Sequence, residues 1–143
     1  MGFRAFNYGA NVVAYDYKGH KMAMTCAWAM QVDYQELCLC LGSQSDTGNH
    51  LKIGDRVGVS ALSHGQEKIA LQFGEGHSLE GDKFHEVQYE NDHGILTILG
   101  AKVRMKCTVE NILDHNRDHL VFLRVDSYDV DPNKGFLSYD EVA

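Results

Sequence analysis

The sequence predicts an all-β domain with short helices, arranged as a closed or nearly closed antiparallel barrel. Two observations carry this prediction: short apolar runs recur along the chain, many of them with strand-like alternation, and only two stretches have helical spacing. The 143 residues contain one proline, 14 glycines and no internal repeat or linker, so we expect a single domain over residues 1–143. Closing the sheet would also remove its exposed edges.

The clearest strand pattern lies in the last third of the chain. In Lys102–Glu110, apolar residues alternate strictly with polar ones, which indicates a half-buried antiparallel strand. The stretch HLVFLRVDSYDV alternates again after DHNRDH, a sequence typical of a turn, so the two segments are predicted to form a long hairpin. Leu120 and Phe122 then lie on the outer face, and a second subunit is the most economical cover for that face.

Earlier apolar runs bring the prediction to about seven strands. These runs are NVVAYD, KMAMTCAWAM, ELCLCLG, RVGVSAL and, later, ILTIL. Two stretches with helical spacing predict short helical connections. SDTGNHLKIG offers Ser45 or Asp46 as an N-cap, and SHGQEKIALQFG carries apolar residues at helical spacing behind Ser63.

The charge balance restricts the classes of partner. The chain has 20 acidic and 13 basic residues, a net charge of −7, which argues against DNA, RNA and anionic membranes as partners. The longest apolar run, Leu37–Leu41, is far shorter than the roughly 20 residues of a membrane span. The first residues also lack an apolar signal core, so we expect a soluble, cytoplasmic protein.

Cysteine and histidine spacing does not predict a metal centre. The four cysteines lack a CxxC spacing and lie in apolar stretches, which is typical of buried free thiols. Cys38 and Cys40 are two residues apart and therefore share one face of a strand. The only close histidine pair, His115 and His119, lies in the predicted turn, whereas structural zinc normally has four ligands.

The segment Leu41–His50 has the composition of a phosphate-binding loop. Ser43, Ser45 and Thr47 supply hydroxyls, and the start of the predicted helix supplies backbone amides, which suit a phosphate monoester. Because the protein is acidic, such a site has to be built locally from amides, hydroxyls and one lysine. The same residue types also form ordinary turns and helix caps, so this pattern alone leaves both interpretations open.

The order of the segments resembles the flavin reductase family over nearly the whole chain, from about Asn11 to Tyr139. The matching segments are the Met-Thr strand in GHKMAMTCAWAMQV, the loop GSQSDTGNH (residues 42–50, the Ser/Thr loop), the helix entry VSALSHGQ, GDKF, the strand KVRMKCTV and the pair Asp118-His119. The resemblance implies an antiparallel Greek-key split barrel of the FMN-binding type. It further implies a homodimer with FMN near the subunit interface, reduced by NADH or NADPH and passing electrons to an acceptor.

The resemblance also assigns roles to individual residues of this sequence. The strand that lines the isoalloxazine ring would be Met24, Thr25, Cys26, Ala27 and Trp28. The phosphate would be held by Ser43, Gln44, Ser45 and Thr47. Lys83 and Phe84 of GDKF would close over the flavin, and His119 would approach the ring or the nicotinamide as the catalytic residue. Read without the resemblance, Trp28 and the methionines fit a core, while GDKF and Asp118-His119 fit plain turns.

The sequence departs from the family pattern in two places. Relatives usually carry Ser-x-x-Pro-Pro after the Met-Thr strand, whereas Val32–Leu37 contains no proline. The segment Gly135–Glu141 stands where relatives have a longer stretch that helps to cover the flavin, a difference that bears most on nicotinamide binding. The missing GxGxxG excludes only a doubly wound dinucleotide-binding domain.

Three functions follow as hypotheses. The leading one is an FMN-dependent NAD(P)H:flavin oxidoreductase, in which the cofactor supplies the chemistry and no catalytic triad is needed. The alternative is a non-enzymatic FMN-binding electron-transfer protein of the flavoredoxin type, reduced by a partner protein. The third is a cofactor-free dimeric binding module. A pyridoxamine-phosphate-oxidase-like activity lacks the second basic pocket that it would need.

Overall fold

The computed structural model describes residues 3–43 and 45–142. Nine strands and two short α-helices form one antiparallel barrel. The strands are β1 (Asn11–Tyr17), β2 (His20–Cys26), β3 (Ala29–Asp33), β4 (Glu36–Gly42), β5 (Arg56–Ala61), β6 (Tyr89–Asp92), β7 (Ile95–Ile98), β8 (Val103–His115) and β9 (Asp118–Val130). The helices are α1 (Asp46–Asn49) and α2 (Glu67–Phe73), and 3-10 turns lie at Ser78–Glu80 and Tyr139–Glu141.

The sheet runs in the order β3-β4-β9-β8-β5-β1-β7-β6, and β2 pairs with β1 off this path. Every strand pair is antiparallel. The all-β antiparallel prediction is therefore confirmed. The strand β1 pairs with β2, β5 and β7, so it holds the Met-Thr strand β2 against the barrel wall.

Strand β1 is buried on both faces because it separates two hydrophobic cores. Val13 and Tyr15 belong to the barrel interior, together with Leu39 and Val121. Val12 and its neighbours on the alternate face belong to a second core beneath α2. Its apolar residues therefore run without the alternation of a half-buried strand.

Gly58 marks the closest approach of backbone to backbone. A Cβ built at this position of β5 would lie 1.9 Å from the carbonyl oxygen of Leu96 on β7. No side chain fits there without moving β7, so this glycine allows the barrel wall to close tightly at this point.

The long hairpin is confirmed and is longer than the sequence pattern indicated. Strands β8 and β9 extend over 13 residues each and meet at a tip where Asn116 has a φ of 57°. One other prediction was wrong in detail, because the apolar run KMAMTCAWAM is broken at Ala27 and Trp28 into β2 and β3. The helical connection behind Ser63 is confirmed as α2, which begins after Gln66.

The outer face of β4 and β9 carries a partly exposed apolar surface. Cys38 lies opposite Phe122, and Cys40 lies opposite Leu120. All four side chains are half-buried, so Cys38 and Cys40 are not the fully buried thiols that the sequence suggested. The description of Cys26 and Cys107 as buried free thiols is confirmed.

Candidate functional site

Two cavities adjoin along the middle of β2 and share Met24 and Thr25. The inner cavity, of about 260 Å³, lies between the Ser/Thr loop and the loop after α2. The outer cavity, of about 380 Å³, lies between the end of β2 and residues 3–8. We call the two together the cleft. A larger apolar cavity of about 780 Å³ shares no residue with the cleft and has no charged side chain in its lining.

Lys83 supplies the positive charge of the inner cavity. Its Nζ donates hydrogen bonds to the carbonyl oxygens of Ala23 at 3.0 Å and Phe73 at 3.1 Å. The second carbonyl belongs to the last turn of α2, where a cation is favourable. Burial lowers the pKa of Lys83, and the nearby Asp46 carboxylate opposes that shift. The ammonium group is thus held by backbone acceptors at the cavity wall.

The Ser/Thr loop is fixed from both sides of the barrel wall. The Ser45 hydroxyl caps α1 by accepting from the Gly48 amide at 3.4 Å, and it donates to the Met24 sulfur at 3.1 Å. Tyr15, which lies in the barrel interior, donates its hydroxyl hydrogen to the Thr47 carbonyl at 2.6 Å. Thr47 is buried and lines the inner cavity. The loop conformation is therefore determined by core contacts.

Asp46 links the Ser/Thr loop to the opposite wall of the inner cavity. Its carboxylate accepts from the Leu79 amide at 3.1 Å and lies 3.8 Å from the His77 ring nitrogen. Ser78, on the same wall, both accepts from and donates to the backbone of Ala23. These contacts hold the two walls together at this end of the cleft.

The outer cavity has one wall of strand and one wall of irregular backbone. Met24, Thr25 and residues 26–28 form the first wall. The second is formed by residues 3–8 and by Tyr139, whose amide donates to the Tyr8 carbonyl at 2.8 Å. The Trp28 side chain is 59% exposed, so this end of the cleft is open to solvent.

Two thiols lie beside the outer cavity. Cys26 is buried, and its thiol donates to the carbonyls of Trp28 at 3.4 Å and Cys40 at 3.7 Å. Burial raises the pKa of Cys26 to about 12 and also raises that of Cys40. Both thiols are therefore protonated near neutral pH, and neither is an activated nucleophile.

The structure brings most of the residues assigned by the resemblance into the cleft. Those in its lining are Met24, Thr25, Cys26, Ala27, Trp28, Ser45, Thr47 and Lys83. Ser43, Phe84 and His119 lie outside that lining, while Gln44 falls outside the residues that the structure describes. Phe84 is buried in the second core, with its ring 4.8 Å from that of Phe73. Ser43 accepts a hydrogen bond at its carbonyl from the Asn49 side chain.

His119 lies behind the Ser/Thr loop. Its Nδ1 is 2.6 Å from the Asp114 carboxylate, and its Nε2 is 3.0 Å from the side-chain oxygen of Asn49. Asn49 is the last residue of α1. His119 therefore connects the end of the long hairpin to the helix that follows the loop.

Sequence reasoning missed several residues of the cleft because they come from distant segments. Arg4, Tyr8 and Tyr139 line the outer cavity, and Cys40 reaches it from β4. The shared face of Cys38 and Cys40 is visible in the sequence, but the pairing of β4 with β9 is not. The contact between residues 8 and 139 has no local signal.

The described residues contain neither a cluster of metal ligands nor a helix that could span a membrane. Across residues 3–43 and 45–142, no group of three or more His, Cys, Asp or Glu side chains is arranged to hold a metal ion. Over the same ranges, none of the helices has the length and apolar character required to cross a membrane.

Comparison with known proteins identifies the family. The sequence model of the "Flavin reductase like domain" matches residues 3–141, which is almost the entire chain. This protein therefore belongs to the flavin reductase-like family, and its barrel with the cleft along β2 is that family's domain. No curated protein sequence matches the chain significantly.

Solved structures with the same fold are distant in sequence. An NADH:FAD oxidoreductase, SgcE6 from Streptomyces globisporus, superimposes with a TM-score of 0.84 at 22% identity, covering 92% of this chain and 80% of that one. A putative flavin reductase from Haemophilus somnus gives 0.86 at 15% identity, covering 96% and 90%. An FMN-binding protein from Thermus thermophilus gives 0.81 at 16% identity, covering 92% and 76%.

Proposed function

We propose that this protein binds FMN in the cleft and catalyses its reduction by NADH or NADPH. The observation that carries the proposal is the adjacency of two cavities: one with a lysine and hydroxyl groups shares Met24 and Thr25 with a second that has a strand wall. A phosphorylated flavin has the same two-part character, with an anionic end and a planar ring. The ring end of the cleft is open to solvent at Trp28, which favours access for a second planar molecule.

The donor set of the inner cavity fits a phosphate monoester. Lys83 contributes an ammonium group, and Thr47 and Ser45 contribute hydroxyls. The acidic surface repels anions, so these local groups have to provide the attraction. The wall of Met24–Trp28 offers strand backbone to the polar edge of the ring, while Trp28 offers an aromatic face.

The protein's own task in the reaction is binding and orientation. When bound, the flavin accepts a hydride from the nicotinamide and a proton from solvent, which leaves oxidised dinucleotide and reduced flavin. Lys83 and the Ser/Thr loop would hold the phosphate end and thereby orient the ring along the wall formed by β2. The wall of residues 3–8 and Tyr139 limits where the donor can lie, which promotes a near-attack geometry.

The names of the structural neighbours support flavin and nicotinamide as ligands. SgcE6 is described as an NADH:FAD oxidoreductase, and one of its structures is a complex with NAD and FAD fragments. The Thermus protein is described as FMN-binding. We favour FMN for this chain because the hydrogen bond from the Leu79 amide to the Asp46 carboxylate joins the two walls of the inner cavity at its phosphate end. FAD continues beyond this phosphate and would need that end of the cavity to be open.

We further propose that the protein is a homodimer assembled through the outer face of β4 and β9. Cys38, Cys40, Leu120 and Phe122 are half-buried there, and Cys40 also lines the outer cavity. The cleft would thus lie at the border of the interface. Light scattering of the wild type should give a dimer, and Phe122→Glu should give a monomer. A wild-type monomer would contradict this interface.

The test of the main proposal is an anaerobic spectrum of the purified protein after addition of FMN and then of NADH or NADPH. Reduction of bound FMN bleaches the absorbance at about 450 nm. Rapid bleaching by either donor supports the reductase. Bound flavin that bleaches only with dithionite would contradict it and favour an electron carrier reduced by a partner protein. Failure to bind any flavin would contradict both.

The electron carrier remains the second candidate because one observation favours it. The Tyr139 ring, covered by the Arg4 guanidinium, takes up part of the opening of the outer cavity. If that wall excluded a free nicotinamide, electrons would have to arrive from a partner protein. The donor titration described above separates the two candidates.

A further inference from the structure

We propose that Arg4 binds the phosphate groups of the reduced nicotinamide dinucleotide at the rim of the outer cavity. The inference rests on the proposed function and extends it to the binding of the second substrate. It depends on the position of Arg4, its charge environment and the donors that its guanidinium offers.

Arg4 is held in a defined position at the cavity wall. Its guanidinium carbon lies 4.7 Å from the centroid of the Tyr139 ring, and its Nη1 lies 2.8 Å from the Asp140 carboxylate. Both partners belong to the 3-10 turn at Tyr139–Glu141, whose start is fixed by a capping box between Ser138 and Glu141. The guanidinium is therefore oriented before any ligand arrives.

The charge of Arg4 is unusual in its surroundings. Among the described residues that line the outer cavity, Arg4 is the only one with a charged side chain. The protein as a whole carries a net charge of −7, so it repels a dinucleotide with an anionic pyrophosphate. A local cation at the open end of the cleft offsets this repulsion at the place where the donor has to enter.

Arg4 can bind a phosphate at little cost to the folded protein, because its ion pair with Asp140 is exposed. Its side chain is 43% exposed, and an exposed ion pair such as that with Asp140 is worth only about 0–1 kcal/mol. A guanidinium carries five N–H donors in a planar fork that matches phosphate geometry. Phosphate can thus bind beside Asp140 or replace it, while the ring of Tyr139 continues to support the guanidinium.

The experiment compares Arg4→Gln with Arg56→Gln in the FMN-loaded protein. Arg56 is also an exposed arginine near an aspartate, at 3.5 Å from Asp126, but it lies outside the cleft lining. We expect Arg4→Gln to raise the donor concentration for half-maximal anaerobic bleaching about tenfold, the loss of a charge-assisted hydrogen bond. Arg56→Gln should match the wild type in the donor concentration for half-maximal bleaching.

Asp140→Asn separates phosphate binding from a purely structural role. If Arg4 binds phosphate, removal of the competing carboxylate should leave donor binding as tight as in the wild type, or tighter. If Arg4 only fastens residues 3–8 to the turn, Asp140→Asn should weaken donor binding in the same way as Arg4→Gln. This second result would overturn the inference, as would equal half-saturation for Arg4→Gln and Arg56→Gln.

Two donors distinguish which phosphate Arg4 contacts. An equal loss with NADH and NADPH indicates the pyrophosphate, whereas a loss with NADPH alone indicates the 2′-phosphate. Calorimetric binding of the oxidised dinucleotides to the same FMN-loaded variants tests the inference without any reaction. If the wild type binds them but does not bleach, the proposed function fails and Arg4 can still be tested. If the wild type binds neither, the inference is overturned.

Discussion

The two ends of the cleft are built in different ways. At the inner end, the Lys83 and Ser78 side chains donate to the backbone of β2, and the Tyr15 hydroxyl donates to the Thr47 carbonyl through the barrel wall. At the outer end, the wall opposite β2 is formed by irregular segments with exposed side chains, and Trp28 is 59% exposed. A dense hydrogen-bond network at the inner end thus contrasts with an open wall at the outer end.

This difference indicates a division of tasks. A rigid inner end suits a ligand that stays bound, because its groups are oriented in advance and lose little freedom on binding. An open outer end suits a molecule that has to enter and leave in each turnover. Variants at the inner end should therefore affect binding of the phosphate, variants at the outer end should affect binding of the ring, and the following experiments test whether they do.

The largest effect is expected from Lys83→Met. Loss of the ammonium group should weaken FMN binding by about 2–3 kcal/mol, because a charge-assisted hydrogen bond to phosphate is lost. Riboflavin, which has no phosphate, should bind as before. Fluorescence titration measures both affinities, and Lys52→Met, at an exposed position outside the cleft, is the control. Equal losses for FMN and riboflavin would place the phosphate elsewhere.

The same lysine should make FMN binding dependent on pH. Burial lowers the pKa of Lys83 in the free protein, and a bound phosphate raises it again. The contribution of the ammonium to FMN affinity is therefore fully present below the free-protein pKa and is lost as the pH rises through the pKa of the complex. Riboflavin titrated in parallel corrects for ionisation of the ring. A pH-independent ratio of the two affinities would argue against a role for Lys83.

A smaller effect at the same end is expected from Thr47→Val. Removal of the hydroxyl should cost about 1–3 kcal/mol of FMN binding, because phosphate or amide partners are left unpaired. Thr108→Val removes a hydroxyl that donates to Asp126 outside the cleft and serves as the matched control. Calorimetry with FMN gives the difference. An unchanged dissociation constant for Thr47→Val would count against this phosphate site.

The smallest effect is expected at the outer end, from Trp28→Leu. Loss of the aromatic face should weaken FMN and riboflavin alike, by about 0.5–1.5 kcal/mol. Tyr34→Leu, at a 93% exposed ring outside the cleft, should leave both affinities unchanged. Flavin fluorescence measures them. If Trp28→Leu affected FMN but not riboflavin, the division between a phosphate end and a ring end would be wrong.

Much of the fold could be predicted from the sequence because strand patterns are local. The alternation in Lys102–Glu110 and the turn after it predicted the β8–β9 hairpin. The Ser45 cap likewise predicted the one-turn helix α1. The break at Ala27 and Trp28 was missed because its apolar residues continue the strand pattern without an interruption. Strand β6, with the sequence YEND, lacks an apolar run and was also missed.

The site could be predicted only in part, for a related reason. Met24, Thr25, Ser45, Thr47 and Lys83 lie in segments whose order resembles the family, and the structure brings them to one cleft. The burial of Phe84 in the second core could not be predicted, because it depends on packing that no short sequence pattern encodes. The outer wall likewise depends on contacts between segments far apart in the chain.

The hydrogen bonds between residues 8–10 and residues 137–139 bear on the order in which the chain folds. Ala10 donates to the Leu137 carbonyl, and Tyr139 donates to that of Tyr8, so these contacts connect segments separated by nearly the whole described chain. Contacts of such high sequence separation require closure of a long loop and slow the folding of a domain. The hairpin of β8 and β9 can form early from neighbouring residues, whereas the outer wall of the cleft is completed only when the barrel has closed. We therefore expect the proposed binding site for the flavin ring to form late in folding.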